Sequence, residues 1–190
     1  MKKLLLAIFL ILPLHVFAQD VPFEPGDRVV YIGNTMADRM QHHGWLETYV
    51  HAMLPEFDLV FRNLGFSGDE VKLRQRADNF GDADQWLAKC EADVIACFFG
   101  YNEALKGEAG LTQFSDDFAE MIDHMRAQKY NGESAPRLIV FSPIAHENLK
   151  TPNLPDGSKN NRNLAMYTAC LLYTSPSPRD LSTSRMPSSA

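Results

Sequence analysis

The sequence predicts an α/β domain of three layers, with helices packed on both faces of a parallel sheet. Two observations carry this. Four short, nearly continuous apolar runs recur along the chain, separated by stretches with helical spacing. Each run is followed by small or polar residues. That is where a parallel sheet presents its ligand site, at the carboxyl ends of its strands.

The first run, Arg28 to Gly33, reads as a buried strand ending in a glycine turn. Residues 44–54 follow at helical spacing, with Trp45, Leu46, Tyr49, Val50, Met53 and Leu54 expected to face inward. Asp58 to Leu64 is the second strand. A polar, partly helical stretch then runs to about Cys90, anchored by Trp86 and Leu87. Asp93 to Phe99 is the third and most hydrophobic strand. Leu111, Phe114, Phe118, Met121, Ile122 and Met125 mark an amphipathic helix. Arg137 to Ser142 is the fourth strand, stopped by Pro143, and residues 160–169 begin another helix. No internal repeat is present.

The chain of 190 residues is sized for one domain, and its ends read differently from its middle. Lys2 and Lys3 precede an apolar stretch, Leu4 to Leu14, and Val16-Phe17-Ala18 supplies small residues at a cleavage position. Residues 1–18 are therefore expected to be a secretory signal peptide, and the protein secreted or periplasmic, with no membrane association after cleavage. Residues 170–190 are expected to be a non-native or disordered tail. Nine of the sixteen residues from Ser175 to Ala190 are Ser or Pro, and the string beginning at Cys170 resembles translated sequencing-adapter read-through. The domain is then expected to span 19–169.

Over 19–169 the charge is −9: Lys2, Lys3, Arg179 and Arg185 drop out of the 18 basic residues, and Asp180 out of the 24 acidic ones. Such a chain repels phosphate backbones, which argues against nucleic-acid partners. Cys97 lies in a buried strand as a small apolar thiol; whether it and Cys90 form a disulfide is left open by two cysteines.

Four residue sets stand at the strand ends: Gly33-Asn34-Thr35, then Asn63-Leu64-Gly65-Phe66-Ser67-Gly68, then Gly100-Tyr101-Asn102-Glu103, then Ser142-Pro143-Ile144-Ala145-His146. In this order they resemble the sequence blocks of the SGNH hydrolases, the GDSL-type esterases and lipases. Gly33-Asn34-Thr35 stands where that family has Gly-Asp-Ser. Asn63, Gly65 and Gly68 match Asn-x-Gly-x-x-Gly. Gly100, Asn102 and Glu103 match Gly-x-Asn-Asp with Glu for Asp. The family's Asp-x-x-His block has no counterpart, so the domain is expected to be incomplete at its C-terminus. The resemblance implies a flavodoxin-like sandwich with its last strand missing. Loss of that strand would uncover residues 137–142, an aggregation risk.

The resemblance also implies a chemistry. Ester cleavage passes through an oxyanion, and each preorganised donor around it is worth roughly 3–4 kcal/mol. By position Thr35 would be the nucleophile, and Thr35 N–H, Gly65 N–H and the Asn102 amide the oxyanion donors. Asn34, Gly100, Glu103 and His146 would contact substrate. Threonine's methyl is stiff at χ1 and crowds attack. His146 follows the fourth strand rather than the fifth, so the base role does not transfer to it. The partner implied is a small-molecule or carbohydrate ester, and no cofactor is expected. The stretches Gly33 to Met40 and Phe99 to Glu103 are similar to the N-terminal domains of large exported multidomain proteins with haem motifs. A non-catalytic ligand- or carbohydrate-binding module is therefore a second expectation, with possible downstream domains.

The same residues have plainer readings. Thr35 opens Thr-x-x-Asp, a helix cap with Asp38. Gly65 and Gly68 are ordinary turn residues. His42 and His43 read as part of a solvated loop, and Asp69 and Glu70 as a helix start.

Overall fold

The computed structural model of the chain describes residues 22–74 and 79–174. The expected signal peptide and the segment from Ser175 onward lie outside those residues. β1 (Arg28–Gly33), β2 (Val60–Asn63), β3 (Val94–Phe98) and β4 (Arg137–Phe141) form one parallel sheet in the order β2-β1-β3-β4. The pairing registers Val29 with Val94 and Val94 with Arg137. β1 and β3 are central, and β3 is buried at every position.

Among the described residues, five α-helices accompany the sheet: α1 (Thr35–His43), α2 (Trp45–Met53), α3 (Ala83–Lys89), α4 (Leu111–Arg126) and α5 (Ser158–Thr174). Pleating sends alternate strand residues to opposite faces. Val30, Ile32, Ile95 and Cys97 meet Leu87 of α3, Phe118 of α4 and Tyr167 of α5 on one face. Val29, Tyr31, Val94, Ala96 and Phe98 meet Ala37 of α1 on the other. This is the three-layer arrangement that the alternating apolar runs predict.

α4 buries Phe114, Phe118, Met121, Ile122 and Met125, the stripe read from its spacing. α3 starts late because Asp82 and Gln85 form a reciprocal capping box, which fixes the first helical residue at Ala83. α2 departs from expectation. It is helical, yet none of its residues is buried, and Trp45, Tyr49 and Met53 are exposed. Among its residues only Leu46 packs against the core cluster that includes Ala37 of α1. α5 runs across the expected boundary at Ala169 as far as Thr174, with Leu171 in the core. Among the described residues, no helix is long and apolar enough to cross a membrane.

Candidate functional site

At the end of β1 the chain turns away at Gly33, φ +127°; a Cβ there would stand 2.2 Å from the Phe98 carbonyl oxygen, so only glycine fits beside β3. The Asn34 N–H then donates to that oxygen at 3.0 Å. The Asn34 side chain caps α1, its Oδ1 accepting from Met36 N–H at 3.0 Å. The cap expected at Thr35 is therefore Asn34. Both are capping residue types, and the backbone places the helix start one residue earlier than Thr-x-x-Asp suggests. Thr35 becomes the first helical residue, with an exposed side chain.

The loop after β2 holds that helix in place. Asn63 Nδ2 donates to the Ala37 carbonyl at 2.6 Å, and Ser67 Oγ to Asp38 Oδ2 at 2.8 Å. Gly65 lies so close to α1 that a Cβ would meet the Ala37 Cβ at 2.4 Å and the Asp38 nitrogen at 2.8 Å. Its N–H donates to Asn63 Oδ1 at 2.8 Å. The expected oxyanion donor is thus engaged with a neighbour, and the glycine is required by packing.

After β3, Asn102 donates its amide to the Asp69 carbonyl at 3.1 Å, which leaves the second amide hydrogen free to donate. Glu103, expected to touch substrate, points the other way. It is buried, with Oε1 accepting from Val71 N–H at 3.0 Å and Oε2 from Gly100 N–H at 2.9 Å. Burial pushes its carboxyl above the usual range, against the lowering effect of those bonds. Gly100, likewise expected at the substrate, spends its N–H on Glu103. Its open side faces Phe114, Leu171 and Pro143 rather than a ligand.

A cavity of about 1090 Å³ opens between α1, the carboxyl ends of β3 and β4, and the segment after β4. Asn34, Thr35, Asn102 and His146 all line it; Gly65, Gly100 and Glu103 do not. The structure therefore brings four of the expected residues to one space and uses three to build its supports. Met36, Met40, Leu46, Phe98, Phe141 and Ile144 make most of its wall apolar. Arg39, His43 and Tyr101 also line it and were missed by sequence reasoning. The signal for two of them was spacing. Thr35, Arg39 and His43 fall at i, i+4 and i+8 of α1, so they share a face. His42 and His43, read as loop residues, are the last turn of that helix. No group of three or more His, Cys, Asp or Glu able to hold a metal occurs among the described residues.

No family model matches the chain, and no curated protein matches it. Solved structures do. A catalytic mutant of an acetylxylan esterase from Geobacillus stearothermophilus superposes with a TM-score of 0.59 at 13% identity, over 81% of this chain and 74% of that one. TesA gives 0.52 at 16% identity, over 78% and 72%. A gut microbial diltiazem-metabolizing enzyme gives 0.60 at 19% identity over 80% of this chain, which spans only 35% of that enzyme's length. The four-stranded parallel sheet, its helical layers and these superpositions together give this chain the SGNH-hydrolase-like fold.

Proposed function

We propose that this chain is an exported SGNH-type hydrolase domain that cleaves ester bonds, with acetyl or acyl esters on carbohydrate as its substrate class. The observation that supports this reading best is the meeting of Thr35, Asn102 and His146 in one cavity at the carboxyl ends of β1, β3 and β4. Thr35 Oγ attacks the ester carbonyl carbon. The oxyanion accepts from the free Asn102 amide hydrogen and from the Thr35 N–H, which at the start of α1 has no intrahelical acceptor. The alkoxy bond breaks, the alcohol leaves with the proton that Thr35 gave up, and water then releases the acid and restores the hydroxyl. His43 and His146 are the imidazoles that line the cavity.

The test is hydrolysis of p-nitrophenyl acetate by the full chain. Turnover above background is expected, with Asn102→Ala lowering kcat by roughly a hundredfold. Thr35→Ala should abolish the enzymatic rate while leaving the fold intact. Absence of turnover sinks the hydrolase reading, and unchanged turnover in Thr35→Ala sinks the nucleophile.

A second reading is a non-catalytic module that binds a carbohydrate or other ligand within a larger exported protein. It is favoured by Gly65, whose N–H is held by Asn63 instead of facing the cavity. A carbohydrate-array screen with no bound glycan would count against it.

A further inference from the structure

The cavity extends well past the hydroxyl of Thr35. Its wall follows α1, and Thr35, Met36, Arg39, Met40 and His43 all line it. A helix rises about 1.5 Å per residue, which puts Thr35 and His43 roughly 12 Å apart with Arg39 midway. An acetyl group at Thr35 would leave most of that length empty. Met36 and Met40 make this stretch apolar, and Leu46 and Phe141 add to it. A hydroxyl-rich group laid here would lose hydrogen bonds to water and find few in return.

Arg39 is the exception on that wall, and among the lining residues it is the one fixed positive charge. Its guanidinium has no ion-pair or hydrogen-bond partner among the described residues. Asp38, its neighbour in the chain, is engaged elsewhere: Oδ1 accepts from Gln41 Nε2 at 2.7 Å and Oδ2 from Ser67 Oγ at 2.8 Å. Glu147 is the one acid lining the cavity, and it forms no ion pair with Arg39. A guanidinium holds its N–H donors in a planar fork that matches a carboxylate. An exposed pair of this kind contributes little by itself, so a ligand that uses it must also bury an apolar body. The methionines beside Arg39 supply the surface for that body.

We infer that the cavity takes an amphipathic carboxylate, whose apolar body lies along Met36 and Met40 and whose carboxylate binds Arg39. Arg39 is then a specificity-determining residue. Applied to an ester, this rests on the hydrolase reading and narrows it: the substrate carries a carboxylate about one helical turn from the carbonyl that Thr35 attacks. Binding itself requires no turnover.

The experiment is a calorimetric titration of the full chain with octanoate. Saturable binding is expected, and it should weaken as salt rises. Arg39 is exposed, so Arg39→Gln leaves the core intact; it should weaken binding about tenfold, the loss of one charge-assisted pair. Arg39→Lys keeps the charge without the fork and should fall between the two. Acetate lacks the apolar body and should give no saturable heat at the same concentration. Octanol lacks the charge and should bind about tenfold more weakly than octanoate. Octanoate that fails to bind, that binds Arg39→Gln equally well, or that is matched by acetate or octanol overturns the inference. In a parallel p-nitrophenyl acetate assay, octanoate should compete with the ester, with an inhibition constant raised about tenfold in Arg39→Gln. If the unaltered chain shows no turnover, the ester reading falls and the titration still decides the role of Arg39.

Discussion

Glu103 shows how a residue beside the site serves the site without facing it. Its two carboxylate oxygens each take one backbone N–H, from Val71 and Gly100, and so pin the loop after β2 to the loop after β3. Glutamine has a single side-chain oxygen, so Glu103→Gln leaves one buried N–H opposed by another donor. The expected loss is about 1–3 kcal/mol of stability, read as a lower urea midpoint. An unchanged or higher midpoint would show that relief from burying the charge outweighs the lost bond. Sequence placed Glu103 at the site because it stands where the Gly-x-Asn-Asp block has its Asp. Adjacent residues point in different directions, and no pattern in the sequence records which of the two turns inward. The same one-residue ambiguity moved the α1 cap from Thr35 to Asn34. By contrast Arg39 and His43 carried a signal, their helical spacing from Thr35, which reading His42 and His43 as a loop passed over.

Among the elements, α1 depends on the loop after β2 more than on its own sequence. Gly65 is the contact point, and Gly65→Ala would drive a methyl into Ala37 and the Asp38 nitrogen. We expect a loss of about 1–3 kcal/mol, the usual cost of overpacking, together with a fall in any Thr35-dependent rate, because α1 carries Thr35. A thermal melt that matches the unaltered chain would contradict this. On the opposite face, α3 is tied to α4 and the turn after it through Asp84, which accepts from the Tyr130 hydroxyl and lies 2.7 Å from His124 Nε2. Burial raises the Asp84 pKa, but the bonds from Tyr130 and His124 outweigh it, and the net shift is downward. A carboxylate depressed in the folded state stabilises above its unfolded pKa, about 3.9, and that contribution is lost as pH falls through the folded value. Asp84→Asn should therefore be less stable than the unaltered chain at pH 7, with the gap closing at low pH. Urea midpoints at the two pH values measure it, and a gap independent of pH would rule the tie out. These elements also show what periodicity can and cannot reveal. The stripe of α4 was legible in full because five long apolar side chains repeat on one face. The equally apolar face of α2 was legible as a helix but not as an exposed one. Burial there depends on which strands lie beneath it, a tertiary fact absent from any local window.

For the molecule as a whole, the decisive asymmetry is between β3 and β4. β3 is buried at every residue, whereas every residue of β4 is only half-buried. α4 and α5 cover one side of β4 through Leu138 and Val140, while Phe141 on the other side forms cavity wall. β4 pairs only with β3 among the described residues, so its outer backbone groups are unmatched. Arg137 N–H donates to Asp93 O at 2.9 Å, and alternation along a parallel strand then turns the N–H groups of Leu138 and Val140 outward. Such an edge is a template for another strand. Opposing it is a formal net charge of −6, whose repulsion weakens as salt rises. Association should therefore grow with both protein concentration and ionic strength, visible by light scattering. Val140→Pro removes an outward N–H without breaking a bond to β3, and should suppress that growth. A chain that stays monomeric at high concentration and high salt would show that β4 is no open edge. If Val140→Pro associates as strongly as the unaltered chain, the contact lies elsewhere, and the exposed Trp45, Tyr49 and Met53 of α2 become the surface to test next.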